Sequence, residues 1–87
     1  VSYSVLLLPS AKKSLAKLPR ADQAKVDRLI IALAENPRPA GCVKLSGQSH
    51  LWRIRSGDYR IVYEIRDQTL IVVVVTIAHR REVYRGL

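Results

Sequence analysis

Methionine and phenylalanine are absent from this 87-residue chain, and cysteine and tryptophan occur once each. The single Cys42 excludes an internal disulfide and any Cys-x-x-Cys metal or redox pair. It is expected to be a small buried thiol in a chain suited to a reducing cytoplasm. With Val at position 1 and no methionine, the chain is expected to start at a non-ATG codon or to have a trimmed end. No apolar run approaches the roughly 18 residues that would span a bilayer. The opening "VSYSVLLLPS" also has no basic stretch ahead of its apolar part, as an export signal would. A cytoplasmic protein with no membrane partner is therefore expected.

Other absences narrow the chemistry. No His or Cys pair has metal-ligand spacing, and Asp58, Glu64, Asp67 and Glu82 do not form a recognisable metal set. There is no P-loop, no nucleophile elbow and no dinucleotide fingerprint, so no metal and no cofactor is expected. Internal repeats, low-complexity tracts and linkers are missing too. Residues 1–87 form one small domain, too short to enclose a deep small-molecule cavity. Acidic residues are scarce: seven stand against fifteen Lys and Arg, giving a net charge of +8 and a sequence pI near 10.3. That balance attracts polyanions such as nucleic acid, ribosome or an acidic protein.

The cations are sorted along the chain. All five lysines lie at or before Lys44, whereas seven of the ten arginines lie at or after Arg53. Arginine grips phosphate with a planar fork, while lysine is a mobile point charge. The first half thus reads as solvated scaffold and the second as a phosphate-facing half.

Hydrophobic periodicity divides the chain into elements. Tyr3 to Leu8 is apolar and β-branched enough for a strand, after which Pro9 and Ser10 offer a break and an N-cap. Ala11, Leu15 and Leu18 then fall at helical spacing until Pro19 closes the segment. From about Ala21 to Glu35 the set Val26, Leu29, Ile30 and Leu33 repeats as one helical face, ended by Asn36-Pro37. Residues 38–49 read as a loop with a short extended piece at Val43 to Leu45. Strands are expected at 51–55, 59–65 and 69–78, the last apolar throughout as a central strand would be. The fold class is α+β: an antiparallel β-sheet with an N-terminal helical hairpin packed on one face.

The segment "LWRIRSGDYRIVYEI", Leu51 to Ile65, carries the functional signal. Trp52 and Ile54 must share a face with Tyr59, Ile61 and Tyr63 if the apolar side is to reach the core, which fixes the register. A two-residue turn at Ser56-Gly57 or at Gly57-Asp58 satisfies this, and both place Arg53, Arg55 and Arg60 on the opposite face. One choice sets Arg53 across from Arg60, the other Arg55. Like charges directly opposite destabilise a hairpin. For any one arginine, splaying into water is the simpler reading. Three on one face, in a chain this basic, point to a phosphate site. "HRREVY" follows the last strand, where His79, Arg80, Arg81 and Tyr84 can be brought alongside the hairpin as titratable and cationic groups.

In order and spacing, "YSVLLLPSAKKSLAKLP", "LAENPRP", "KLSG", "WRIRSGDYRIVYEI" and "AHRREVY" resemble the RelE toxins of bacterial type II toxin–antitoxin modules, within the RelE/ParE superfamily. The resemblance covers almost the whole chain, and its most specific part joins Gly57 to Tyr63 with His79 to Tyr84. It implies a metal-independent endoribonuclease that enters the ribosomal A site and cleaves mRNA codons through the codon's own 2′-hydroxyl. Carried over, Arg53, Arg55 and Arg60 orient and neutralise the phosphate, and Arg80 is the basic residue ahead of the terminal tyrosine. Tyr84 is that tyrosine, implied in proton transfer or base stacking, with His79 a further catalytic candidate and Arg81 and Lys44 implied RNA contacts. A cognate antitoxin protein is the implied partner beside the ribosome and mRNA, with operator DNA reached only through the antitoxin complex.

Two departures bear on mechanism. Arg53 and Arg55 stand where the best-known members carry lysines, and arginine does not lose its proton near neutrality, so neither serves as a general base. Related toxins place a carboxylate base before "LSG", yet this chain has no Asp or Glu between Glu35 and Asp58. The rival readings are a ParE-like inhibitor of DNA gyrase and a non-catalytic basic nucleic-acid-binding module.

Overall fold

Proline 9 decides how the chain leaves its first strand. In the computed structural model, which describes residues 2–45, 47 and 50–79, strand β1 (Ser4–Leu7) runs directly into helix α1 (Pro9–Ala16). Pro9 occupies the first helical turn, where its missing N–H costs nothing and its fixed φ suits the helix. The N-cap is consequently Leu8, not the expected Ser10, and the Leu8 carbonyl accepts the Lys12 N–H at 2.9 Å. Pro19 plays the same punctuating part before α2 (Arg20–Leu33), whose buried residues are Val26, Ile30 and Leu33.

After α2 the chain makes β2 (Val43–Lys44), β3 (Leu51–Ser56), β4 (Tyr59–Arg66) and β5 (Ile71–His79). The sheet order is β1-β5-β4-β3-β2. Four of these strands form the expected antiparallel meander, but β1 pairs with β5 in parallel, so the sheet is mixed. The reason is connectivity. A strand that feeds a helical segment does not reverse through a hairpin, so it can return beside a later strand in the same direction. The expected start of the last strand also moves, because Thr69 and Leu70 belong to the preceding turn, where Leu70 adopts a φ of +56°.

Both helices cover the same face. Ala11, Val26, Ile30 and Leu33 pack with Ile54, Ile61, Tyr63, Ile65, Val72, Val74 and Ile77 into one cluster, with Trp52, Tyr59 and half-buried Cys42 against it. Burying each large apolar side chain is worth about 1.5–3 kcal/mol. Cys42 is therefore a border residue, short of the full burial expected from sequence. Tyr63 is wholly buried and donates its hydroxyl to the Pro37 carbonyl at 2.8 Å.

The apolar run of β5 has a specific cause. Val62 pairs with Thr76 and Tyr63 with Val74, so Val75 is the extra residue of a β-bulge. The bulge shifts the alternation by one residue, and Val74 and Ile77 both face the helices despite their odd spacing. The long Ser10 Oγ to Val75 carbonyl contact, 3.5 Å, falls at this point.

At the β4–β5 turn a second set of contacts ties three distant segments together. Arg38 donates to Asp67 through both terminal nitrogens, at 3.1 and 2.8 Å, and the Tyr3 hydroxyl donates to the same carboxylate at 2.7 Å. The Arg38 guanidinium also lies 5.0 Å from the centre of the Trp52 ring. Hydrogen bonds from Arg38 first, then Tyr3, hold the Asp67 carboxyl down at about 2. The same bond to Asp67 raises the Tyr3 hydroxyl above its ordinary value.

Candidate functional site

The β3–β4 hairpin turns on Gly57-Asp58, because Ser56 pairs with Tyr59. Gly57 has a φ of +58° whereas Asp58 stays at negative φ, the pattern of a type II′ turn with glycine first. Of the two registers the sequence allows, this one places Arg55 directly across from Arg60. Arg53 pairs with Val62, and side chains two residues apart on a strand share a face, so Arg53 and Arg55 stand together. Ile54 and Ile61, their neighbours in sequence, belong to the core cluster, so all three arginines point away from the helices.

The three differ in setting. Arg55 is exposed and donates from Nε to the Gly57 carbonyl at 3.0 Å. Arg60 is half-buried, and its Nε is closed off from solvent without a hydrogen-bond partner among the described residues. Arg53 is half-buried. Val62, on the same face, is wholly buried although no helix of the core cluster covers that side. Further along β4, Glu64 accepts from Arg66 Nε at 2.6 Å, so the far end of the face is charge-compensated. Arg55 and Arg60 lie at the other end of the face, next to the hairpin turn.

Not every candidate joins this cluster. His79 pairs with Tyr59, and their rings meet edge to face, 5.7 Å between centroids and 86° between planes. Tyr59 packs against the core, so His79, two residues beyond core Ile77, sits on the helix side, away from the arginines. Burial first, then Asp22 and Asp58, raises the Tyr59 hydroxyl above its ordinary value. Lys44 pairs with Trp52 and is likewise on the helix side, while its neighbour Val43 pairs with Arg53. Strand alternation, invisible for so short a strand as β2, is the reason in both cases. Arg80, Arg81 and Tyr84 lie outside the described residues.

Sequence reasoning missed Glu64 and Arg66 as occupants of the arginine face, although period-2 counting from Arg60 reaches both. It also missed the Tyr3, Arg38 and Asp67 network, for which no local spacing gives a signal. A cleft of about 500 Å³ beside that turn is lined by His50, Glu64, Ile65, Arg66, Asp67, Gln68 and Thr69.

Residues 5–84 match the family of the ParE toxin of the type II toxin–antitoxin system parDE. The chain is similar to toxin RelG of Mycobacterium tuberculosis, 31% identical over 84 residues that cover 95% of this chain and 97% of the relative. Its fold is similar to the toxin–antitoxin complex RelBE2 from Mycobacterium tuberculosis, with a TM-score of 0.80 and 29% identity over 92% of this chain and 100% of that one. It is also similar to the archaeal RelE–RelB complex from Pyrococcus horikoshii OT3, with a TM-score of 0.82 and 26% identity over 92% of this chain and 97% of that one.

Proposed function

The chain belongs to the ParE toxin family of type II toxin–antitoxin systems, and from its similarity to toxin RelG and to an archaeal RelE we propose that it is a ribosome-dependent mRNA endoribonuclease acting in the cytoplasm. The observation that carries this reading is the Arg55 and Arg60 pair, set face to face with Arg53 beside it on the face opposite helices α1 and α2. Folding alone disfavours such a pair, and a bound phosphate repays it.

In the proposed reaction the codon's 2′-hydroxyl loses its proton and attacks the adjacent phosphorus. The P–O5′ bond breaks, and the departing oxygen takes up a proton. The products are a 2′,3′-cyclic phosphate and a 5′-hydroxyl end. Arg53, Arg55 and Arg60 stabilise the charge that develops on the phosphate oxygens, which is where preorganised donors act most strongly. None of them can accept the proton. His79 faces the wrong side, so proton transfer falls to Tyr84, as the resemblance to RelE toxins implies, or to a ribosomal group.

The match to the ParE family supports a second reading, inhibition of DNA gyrase without chemistry by the toxin itself. Primer-extension mapping of cellular mRNA after brief induction separates the two. In-frame cuts within codons are expected. Intact mRNA with DNA damage would replace the nuclease by the gyrase inhibitor.

A cognate antitoxin is the proposed protein partner, as in the RelBE2 and RelE–RelB complexes. Leu6, 54% exposed, and Val43, 46% exposed, flank the arginine face on the two edge strands. An apolar segment with acidic residues fits that surface. Operator DNA is reached only through that complex.

A further inference from the structure

Arg55 and Arg60 repel one another across the ladder, so something other than their own attraction must keep them together. Arg60 is fixed by packing, since its Nε is closed off from solvent. Arg55 is exposed and has no such support, yet its Nε meets the Gly57 carbonyl at 3.0 Å. That carbonyl is aimed by the backbone, through the φ of +58° at Gly57. A Cβ at Gly57 would meet nothing within 4 Å among the described residues. Conformation alone, and not space, restricts the residue type at this position.

We propose that the Gly57 main-chain carbonyl is a positioning group that tethers Arg55 by Nε, holding its guanidinium opposite Arg60 as a preformed two-arginine phosphate clamp. The inference rests on the reading of the hairpin as the RNA-phosphate face and deepens it. A guanidinium has five N–H donors, and the tether uses only the one at the root of the fork. The terminal nitrogens stay free for bidentate contact with a phosphate. A lysine at position 55 lacks the root donor. Held by the same carbonyl, its single ammonium would be turned toward the hairpin loop instead of outward. The arginine at 55 and the glycine at 57 therefore work as a unit.

The test compares Gly57→Val, whose β-branched side chain rejects positive φ, with Gly57→Asn, which tolerates it. Both are made in the wild-type chain and in an Arg55→Gln background, with circular dichroism confirming the fold. The probe is a fluorescein-labelled single-stranded RNA oligonucleotide with 2′-O-methyl groups, which cannot be cleaved. Gly57→Val is expected to weaken binding roughly 10-fold or more, the scale of one charge-assisted contact, and Gly57→Asn to restore it. In the Arg55→Gln background the two should bind alike. A Gly57→Val loss that persists undiminished without Arg55, or a folded Gly57→Val that binds as wild type, overturns the tether. Arg60→Ala serves as the control for the underlying reading: if it too binds as wild type, the hairpin is not the phosphate face. The Arg55 Nε–H resonance decides the tether without RNA. It should shift and exchange faster with water in Gly57→Val but not in Gly57→Asn, and an unchanged signal in Gly57→Val refutes the proposal.

Discussion

Replacing Arg60 with alanine separates the stability of the hairpin from its chemistry. On the folding side the terms nearly cancel. The substitution removes a closed-off Nε that has no acceptor among the described residues and relieves the like-charge opposition to Arg55, worth some tenths of a kcal/mol. Against this stands the loss of the arginine's aliphatic stem from a half-buried site. The balance stays within about 1 kcal/mol, a shift of roughly 4–8 °C or less in Tm for a domain this small. On the chemical side, one preorganised donor to a developing oxyanion is worth on the order of 100-fold in rate, roughly 3 kcal/mol. Arg60→Lys keeps the charge without the fork and should fall between the two. The assay is single-turnover cleavage of A-site mRNA on programmed ribosomes, with thermal melts run in parallel. A folded Arg60→Ala that cleaves at the wild-type rate would refute the site assignment. The hairpin arginines would then be a solvated edge.

Further expectations concern the helix-side residues and the turns. His79→Ala should change cleavage little, because the imidazole faces Tyr59 and not the arginines; a loss as large as that of Arg60→Ala would show that the two act together. Tyr63→Phe removes the bond to the Pro37 carbonyl from a buried site and should cost about 1–2 kcal/mol in chemical denaturation, whereas no change would mean that water replaces the hydroxyl. Leu70→Gly should gain about 0.5–1 kcal/mol, since a φ of +56° strains leucine more than glycine's extra freedom costs in the unfolded chain. The Asp67 carboxyl is held at about 2 when folded, against about 4 when unfolded, so its contribution is complete above pH 5. It is lost as the pH falls from 4 toward 2. The Tm gap between wild type and Asp67→Asn should therefore close across that window, and a gap independent of pH would count against the Arg38 bond as its source.

How much of this was legible in the residues depended on whether local pattern or long-range pairing decided each feature. The two helices followed from the spacing of Ala11, Leu15 and Leu18 in the first and of Val26, Leu29, Ile30 and Leu33 in the second, and from the prolines that punctuate them. Register on β3 and β4 was nearly determined by alternation, leaving open only whether Arg53 or Arg55 faces Arg60. The turn geometry at Gly57 settled it. The parallel pairing of β1 was not legible, because nothing in "YSVLLL" says which edge will receive it. Nor was the bulge at Val75, since four consecutive valines look the same in either phase. His79 and Lys44 lie on the helix side of the sheet, opposite the hairpin arginines, which their position in the sequence did not reveal. One alternation step, at a strand end in one case and in a two-residue strand in the other, reverses a side chain.

The parallel pairing of β1 with β5 has a consequence for how the protein comes to exist in a cell. Ser4 to Leu7 are made well before their sheet neighbours among the described residues, Ile71 to Val74, which follow only after both helices and the β3–β4 hairpin. Closing that contact costs the entropy of the long loop that contains both helices and the hairpin. During synthesis β1 therefore waits unpaired while the helices and the hairpin form from local contacts. A chain interrupted before β5 keeps its arginine hairpin but cannot complete the sheet that supports it. Completion of the sheet thus waits on the synthesis of β5.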